Sequence, residues 1–190
     1  MRELHTSAQI AALLDGTLDL AFLRDSDPTE GIRITTLLKE PYVAVLPQGH
    51  RLSTKDSLRV ADLKDERFIL FPRRMGPLAF DRTIACCERS RFHPTIVQDA
   101  PQWTTLVSLV AAGLGVSLAP ACVANVGVRG AVYRDVHTAC RTTIDLGVRT
   151  GSDKVLAASF VKVASRATIS WFSKPGPKHP LAPSVRHSAR

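Results

Sequence analysis

No apolar run in these 190 residues is long enough to cross a bilayer. The longest, such as Tyr42–Pro47 and Val107–Ala112, fall far short of the about 20 residues a spanning helix needs. The opening residues MRELHTSAQ are polar and mixed, without the charged-then-apolar pattern of a secretory start, so a cytoplasmic location is expected. C-x-x-C spacing is missing as well. The four cysteines, Cys86, Cys87, Cys122 and Cys140, have no paired His ligands nearby and read as small core hydrophobes in a reducing compartment. H-E-x-x-H, G-x-S-x-G and the phosphate-binding P-loop do not occur. The six histidines (His5, His50, His93, His137, His179, His187) stand at no metal-ligand spacing and read as surface or loop residues. The expectation is a protein with no metal, no cofactor and no enzymatic activity.

What is present is an ordinary globular composition, 45% apolar and 22% charged, with 25 Lys+Arg against 17 Asp+Glu and a net charge of +8. The charge is uneven. Residues 174–190 carry four basic residues, no acids and four of the twelve prolines. Without them 21 basic and 17 acidic residues remain, a net +4. Residues 173–190 read as a disordered, basic, Pro-rich tail that cannot bury enough apolar surface to order itself.

Thr6-Ser7-Ala8-Gln9 predicts a helix start with a hydroxyl cap, followed by Ile10, Leu13 and Leu14 at helical spacing and a stop at Gly16. Strands are predicted over Leu18–Leu23, Ile32–Leu38 and Tyr42–Pro47, the last two split by Glu40-Pro41, with a turn-rich loop at 25–31. Residues 57–64 read as irregular with one helical turn, and Arg67–Phe71 as a buried strand. Helices follow over Leu78–Ser90, Gln102–Ala112 and Lys154–Phe172. Further strands are expected at Thr95–Gln98, Val116–Pro120, Ala131–Arg134 and Thr142–Arg149. This alternation argues an α/β fold with mostly parallel sheet. The strand count favours two sheets in two lobes, meeting in a cleft beside the carboxyl ends of their strands. Gly113-Leu114-Gly115 lacks the third glycine of a dinucleotide loop, since Leu118 stands there, and it follows a helix instead of opening one. It reads as a helix cap and tight turn.

The residues that remain suggest binding. Thr6 sits at a helix start, Arg24 ends the next strand, Arg73 and Arg74 follow another strand, and Gln102-Trp103-Thr104 opens a helix. A hydroxyl, guanidinium forks and an aromatic face converging on one cleft suit a small organic carboxylate. The plainer reading is equally open at this stage: Thr6 a cap, Arg24 a surface charge, Trp103 a packing residue.

Glu3-x-x-Thr6-x-x-Gln9 with Leu13, Gly16 and Leu18-Asp19-Leu20-Ala21-Phe22 resembles the regulatory domain of LysR-type transcriptional regulators. VAVLPQGHRL (43–52), LRVADL (58–63), Phe68–Pro72 and VAAGLGVSLAP (110–120) continue the pattern in order, so the resemblance covers about residues 1–172. It implies a type-2 periplasmic-binding-protein-like α/β fold, with two Rossmann-like lobes of mixed sheet joined by two crossover strands. Lobe one would hold residues 1–39 and 138–172, and lobe two residues 40–137. The resemblance implies an effector site at Thr6, Arg24, Phe71, Arg73, Arg74, Gln102, Trp103 and Thr104, taking a small organic, possibly aromatic, carboxylate. The Arg73-Arg74 pair favours a more anionic effector than the small polar residues of many aromatic-acid sensors. The family's winged helix-turn-helix, and the opening strand and first helix of lobe one, have no counterpart in this sequence, which leaves lobe one incomplete. DNA is therefore expected as a partner only through that missing domain, and a homo-oligomer is expected. The alternatives are a transporter's solute-binding protein, which would need export, and a small-acid enzyme on the same scaffold, which would need an acid–base pair in the cleft.

Overall fold

The computed structural model describes residues 2–151, 159–164 and 166. The apolar spacing of Ile10, Leu13 and Leu14 forms helix α1 (Thr6–Leu14), and Gly16 takes the left-handed backbone after it at φ 80°. Strand β1 (Leu20–Arg24) follows, then β2 (Ile32–Pro47), β3 (Ser57–Arg59) and β4 (Arg67–Leu70). Helix α2 (Pro77–Arg89), β5 (Thr95–Asp99), α3 (Trp103–Ala111), β6 (Ser117–Pro120), β7 (Ala131–His137) and β8 (Arg141–Arg149) complete the order. Short 3-10 turns at Val60–Leu63, Arg73–Met75 and Ala121–Val126 lie between them. The chain divides into two compact units, Met1–Asp153 and Lys154–Arg190, and in the second residues 159–164 and 166 are helical. The rest of the expected helix Lys154–Phe172, the tail 173–190 and part of the 138–172 segment lie outside the described residues. Among the described residues no helix is long and apolar enough to cross a membrane.

Glu40-Pro41 does not split two strands: β2 runs through it for 16 residues. Pro41 is tolerated because it stands where β2 changes partners. Residues 32–41 pair with β8, whereas 42–45 pair with β6 and 43–47 with β7. A missing N–H at that handover breaks no continuous ladder. β7 and β8 act as one long antiparallel partner of β2, interrupted at 138–140. The strand order is β1-β8-β2-β7-β3, with β6 also on β2, and β4 pairs β5 in a separate two-stranded sheet. The expected mostly parallel sheet is therefore corrected. Among the described strands only β3–β7 and β4–β5 pair in parallel, because the two long crossing segments run against each other.

Each helix buries one face on this frame. Leu13 of α1 packs with Ala21, Leu23 and Ile32; Cys86 and Cys87 of α2 join Tyr42, Leu46, Leu63, Phe68 and Leu118; Leu106, Val107 and Val110 of α3 meet Val45, Ile69 and Ala119. Each fully buried leucine or phenylalanine contributes about 1.5–3 kcal/mol by leaving water. Burial pushes the Cys86 and Cys87 thiols up to about 12, in keeping with apolar core roles. Cys122 differs: it is exposed, and the core reading does not hold for it.

The two glycines of Gly113-Leu114-Gly115 serve different needs. Gly113 is left-handed at φ 82° and donates to Val110 O at 2.8 Å while Leu114 N reaches Leu109 O at 3.2 Å, a Schellman end to α3. A Cβ on Gly115 would lie 2.5 Å from the Arg67 carbonyl oxygen. Gly113→Ala is expected to cost about 1–2 kcal/mol for its left-handed backbone. Gly115→Ala should cost more, since backbone must move; denaturation midpoints that rank the two the other way round would contradict this packing.

Buried Asp145 supplies a second expectation. Burial alone would raise its carboxyl, but the Ser26 N–H and the hydroxyls of Thr36, Ser26 and Thr143 outweigh burial and hold it below the usual range. Its contribution to stability is thus complete above the unfolded value of about 3.9 and drains as pH falls through the lowered native value. Acid titration of unfolding should show a shallower loss in Asp145→Asn than in the parent chain.

Candidate functional site

Three helices begin at one cavity of about 460 Å³. Its wall takes Thr6, Ala8 and Gln9 from α1, Gly76, Ala79, Phe80 and Thr83 from the start of α2, and Gln102 and Trp103 from the start of α3. The ends of β1 (Leu23, Arg24, Asp25) and β4 (Leu70, Phe71), with Tyr42, Thr142 and Ile144, complete it. Among the described residues no side chain caps α2 or α3. Free N–H groups and the positive ends of the helix dipoles therefore face the same space, where a negative charge is stabilised. Phe71 and Trp103 stack beside them, centroids 5.9 Å apart at 23°.

Of the expected residues, Thr6, Arg24, Phe71, Gln102 and Trp103 line this cavity, and Arg73, Arg74 and Thr104 do not. Arg73 turns outward into a two-pronged pair with Asp81, both bonds 2.8 Å. Arg74 lies in the same turn, and its carbonyl accepts from Ser7 Oγ at 3.2 Å. The Thr104 carbonyl accepts from Ser108 Oγ at 2.8 Å on the exposed face of α3. A more anionic effector has no support from the Arg73-Arg74 pair in these positions.

Thr6 is not the cap of α1. His5 is, its ring nitrogen accepting from Ala8 N at 3.3 Å. The Thr6 hydroxyl instead accepts from Arg24 N at 3.3 Å and reaches Arg24 O at 3.4 Å, which pins the end of β1 to the helix.

Nor is Arg24 a free clamp. Its Nη1 donates to Glu40 Oε1 at 2.9 Å and to Thr142 Oγ1 at 3.2 Å, and its Nη2 to Cys122 Sγ at 3.5 Å. Glu40 is 5% exposed, and its second oxygen accepts from Cys122 N at 2.8 Å. Beside this pair Asp25, in left-handed backbone at φ 47°, accepts from Thr142 Oγ1 at 2.6 Å, from Thr143 N at 2.8 Å and from Arg82 of α2. Both guanidinium groups near the cavity thus already meet a carboxylate.

His5, Asp25 and Tyr42 also line the cavity, and Glu40 and Arg82 pair with its residues, with little in the sequence to mark them. Glu40 looks like part of a strand break, Asp25 like the start of a loop, and Tyr42 like core. The one available signal was Glu40 as the single acid in a 16-residue strand, immediately before Pro41.

Arg24→Ala would strand the Glu40 carboxylate with one N–H partner, and is expected to cost about 3 kcal/mol of stability. The double change Arg24→Met/Glu40→Met should recover most of that. Urea unfolding of both variants checks it, and equal losses would argue against the pairing.

Residues 1–167 match the family model described as the LysR substrate binding domain. The chain is 35% identical over 120 residues to the HTH-type transcriptional regulator YnfL of Escherichia coli (strain K12), covering 63% of this chain and 40% of that one. It is 33% identical over 120 residues to AlsR of Bacillus subtilis (strain 168), with the same shares covered. The chain therefore spans about two fifths of the length of these curated relatives, which are named as regulators and not as enzymes. In three dimensions it is similar to the BenM effector-binding domain solved with its effector benzoate, at a TM-score of 0.78 and 23% identity, over 95% of this chain and 82% of that one. That likeness shows a shared fold, the periplasmic-binding-protein-like mixed α/β architecture of LysR effector-binding domains. With the family model matched over 1–167, the chain belongs to the LysR substrate-binding domain family.

Proposed function

We propose that this chain senses a small organic carboxylate, aromatic or similarly flat, for a LysR-type transcriptional regulator whose winged helix-turn-helix lies outside these residues. One observation carries the reading: the uncapped starts of α2 and α3 and the first turn of α1 meet at a cavity of about 460 Å³ walled largely by apolar side chains. Backbone N–H groups at helix starts hold the carboxylate. Trp103 and Phe71 take its flat body, as aromatic pairs prefer offset or tilted ring contacts. Arg24, neutralised by Glu40, holds the end of β1 in place and does not supply the anion's partner. Benzoate in the related BenM domain is in line with this chemistry.

Signalling then requires the effector to bind one arrangement of two lobes more tightly than another, since a ligand indifferent to both shifts nothing. In the proposed division, one lobe holds residues 1–39 with the described residues 138–151, and the other holds 40–137. The boundary in β2 falls next to Pro41, where that strand changes partners. A homo-oligomer would carry the bias to DNA.

Calorimetric titration with benzoate and related aromatic acids tests the proposal. Binding is expected in the parent chain, and Trp103→Ala should weaken it about tenfold, near 1.4 kcal/mol. Identical binding by Trp103→Ala would sink the site, and no binding by any acid would sink the effector class.

A further inference from the structure

Two contacts join the start of α1 to the turn Arg73–Met75, which leads into α2. Ser7 Oγ donates to Arg74 O at 3.2 Å, and His5 Nδ1 lies 3.2 Å from Met75 O. In the proposed division α1 belongs to one lobe and this turn to the other, and His5, Ala8, Met75 and Gly76 all line the cavity. The same His5 Nδ1 also lies 3.3 Å from Ala8 N, where it caps α1. These two demands conflict. The Ala8 N–H needs a lone pair on Nδ1, whereas the Met75 carbonyl needs a proton there. With the ring proton on Nε2, α1 is capped and a lone pair faces the Met75 oxygen. With it on Nδ1, the turn is bonded and the cap is lost. Each form gains one bond and forgoes the other, so the balance is close and a neighbouring charge can tip it.

We infer that His5 is a positioning residue that couples ligand binding to the join between the lobes: a carboxylate held at the helix starts moves the ring proton onto Nδ1, which then bonds Met75 O. The inference rests on the cavity's being the effector site. Two effects push the same way. A carboxylate beside the first turn of α1 accepts from the N–H groups there, so Ala8 no longer needs the ring. Its negative charge also repels the Nδ1 lone pair and attracts an N–H in its place. Nδ1 takes its proton from water and Nε2 releases its own to water, so the charge of the ring is unchanged. The new bond fixes the turn whose next residue, Gly76, opens α2 without a side-chain cap. A ligand gripped by α1 is thereby gripped more firmly by α2. Ser7 is free of the conflict, and its bond to Arg74 O keeps the turn within reach in either form. The ligand then favours the joined arrangement over any other, which is the differential affinity that signalling requires.

Imidazole nitrogen NMR of the isotope-labelled full chain, with and without benzoate, tests the coupling. The His5 signals are identified by their loss in His5→Ser. Nδ1 of His5 is expected to be unprotonated in the free chain and protonated at saturating benzoate. The serine hydroxyl of His5→Ser can still cap the Ala8 N–H but is too short to span to Met75 as well, so the melting temperature should hold. Calorimetry on that variant should show benzoate bound about fivefold more weakly, the worth of one hydrogen bond. Binding heat with no change at His5 Nδ1 overturns this inference alone. So does an Nδ1 already protonated in the free chain, and so does parent affinity in His5→Ser. If neither benzoate nor the related aromatic acids bind the parent chain, the effector reading of the cavity falls first and this inference with it.

Discussion

The antiparallel ladder between β2 and the broken strand β7–β8 governs this fold. Residues 32–41 and 43–47 of one segment lie against 141–149 and 131–135 of the other, and the helices and remaining strands attach to that spine. The ladder is interrupted where β7 ends and β8 begins, opposite Glu40–Tyr42. At that interruption backbone groups and side chains of several elements come within reach of one another. Arg24, Asp25, Glu40, Thr142 and Thr143 fill the space with hydrogen bonds and ion pairs. A break in a sheet is thus occupied by charge, and the charge is balanced locally.

That balance removes one source of positive potential from the neighbouring cavity. An arginine at the end of a strand beside a pocket looks like a carboxylate clamp, but a guanidinium bound to a 5%-exposed glutamate has little field left to offer. Helix starts remain as the source of positive potential, and they differ from arginine in a useful way. Their N–H groups are fixed by the backbone, so no side-chain freedom is lost when a ligand arrives.

Much of the architecture is legible in the sequence because it rests on short-range signals. The spacing of Ile10, Leu13 and Leu14, the apolar run at Val116–Pro120 and the glycine after α3 each mark an element within a few residues of where it stands. The family resemblance adds the mixed-sheet architecture, which the simple alternation of strands and helices misdescribes as mostly parallel. The polar junction is where local reading stops. Glu40 beside Pro41 signals a strand end when considered with its neighbours alone, and only the arrival of Arg24 and Cys122 from distant parts of the chain makes it a buried partner. Likewise Thr6 resembles a cap until β1 is placed beside it, and Arg73 resembles a ligand-facing cation until Asp81, two helical turns further on, claims it.

The Arg24–Glu40 pair also sets how this site can diversify over generations. Neither residue can drift alone, because each single substitution passes through a less stable protein with one bare charge. On that physics a stable protein is kept only when both change together, and tolerated change falls elsewhere. Positions such as Phe71, Phe80 and Trp103 line the cavity without that entanglement, so changes there reshape its apolar wall one step at a time. Descendants of this chain would keep the charged junction almost frozen while the apolar wall supplies the variety.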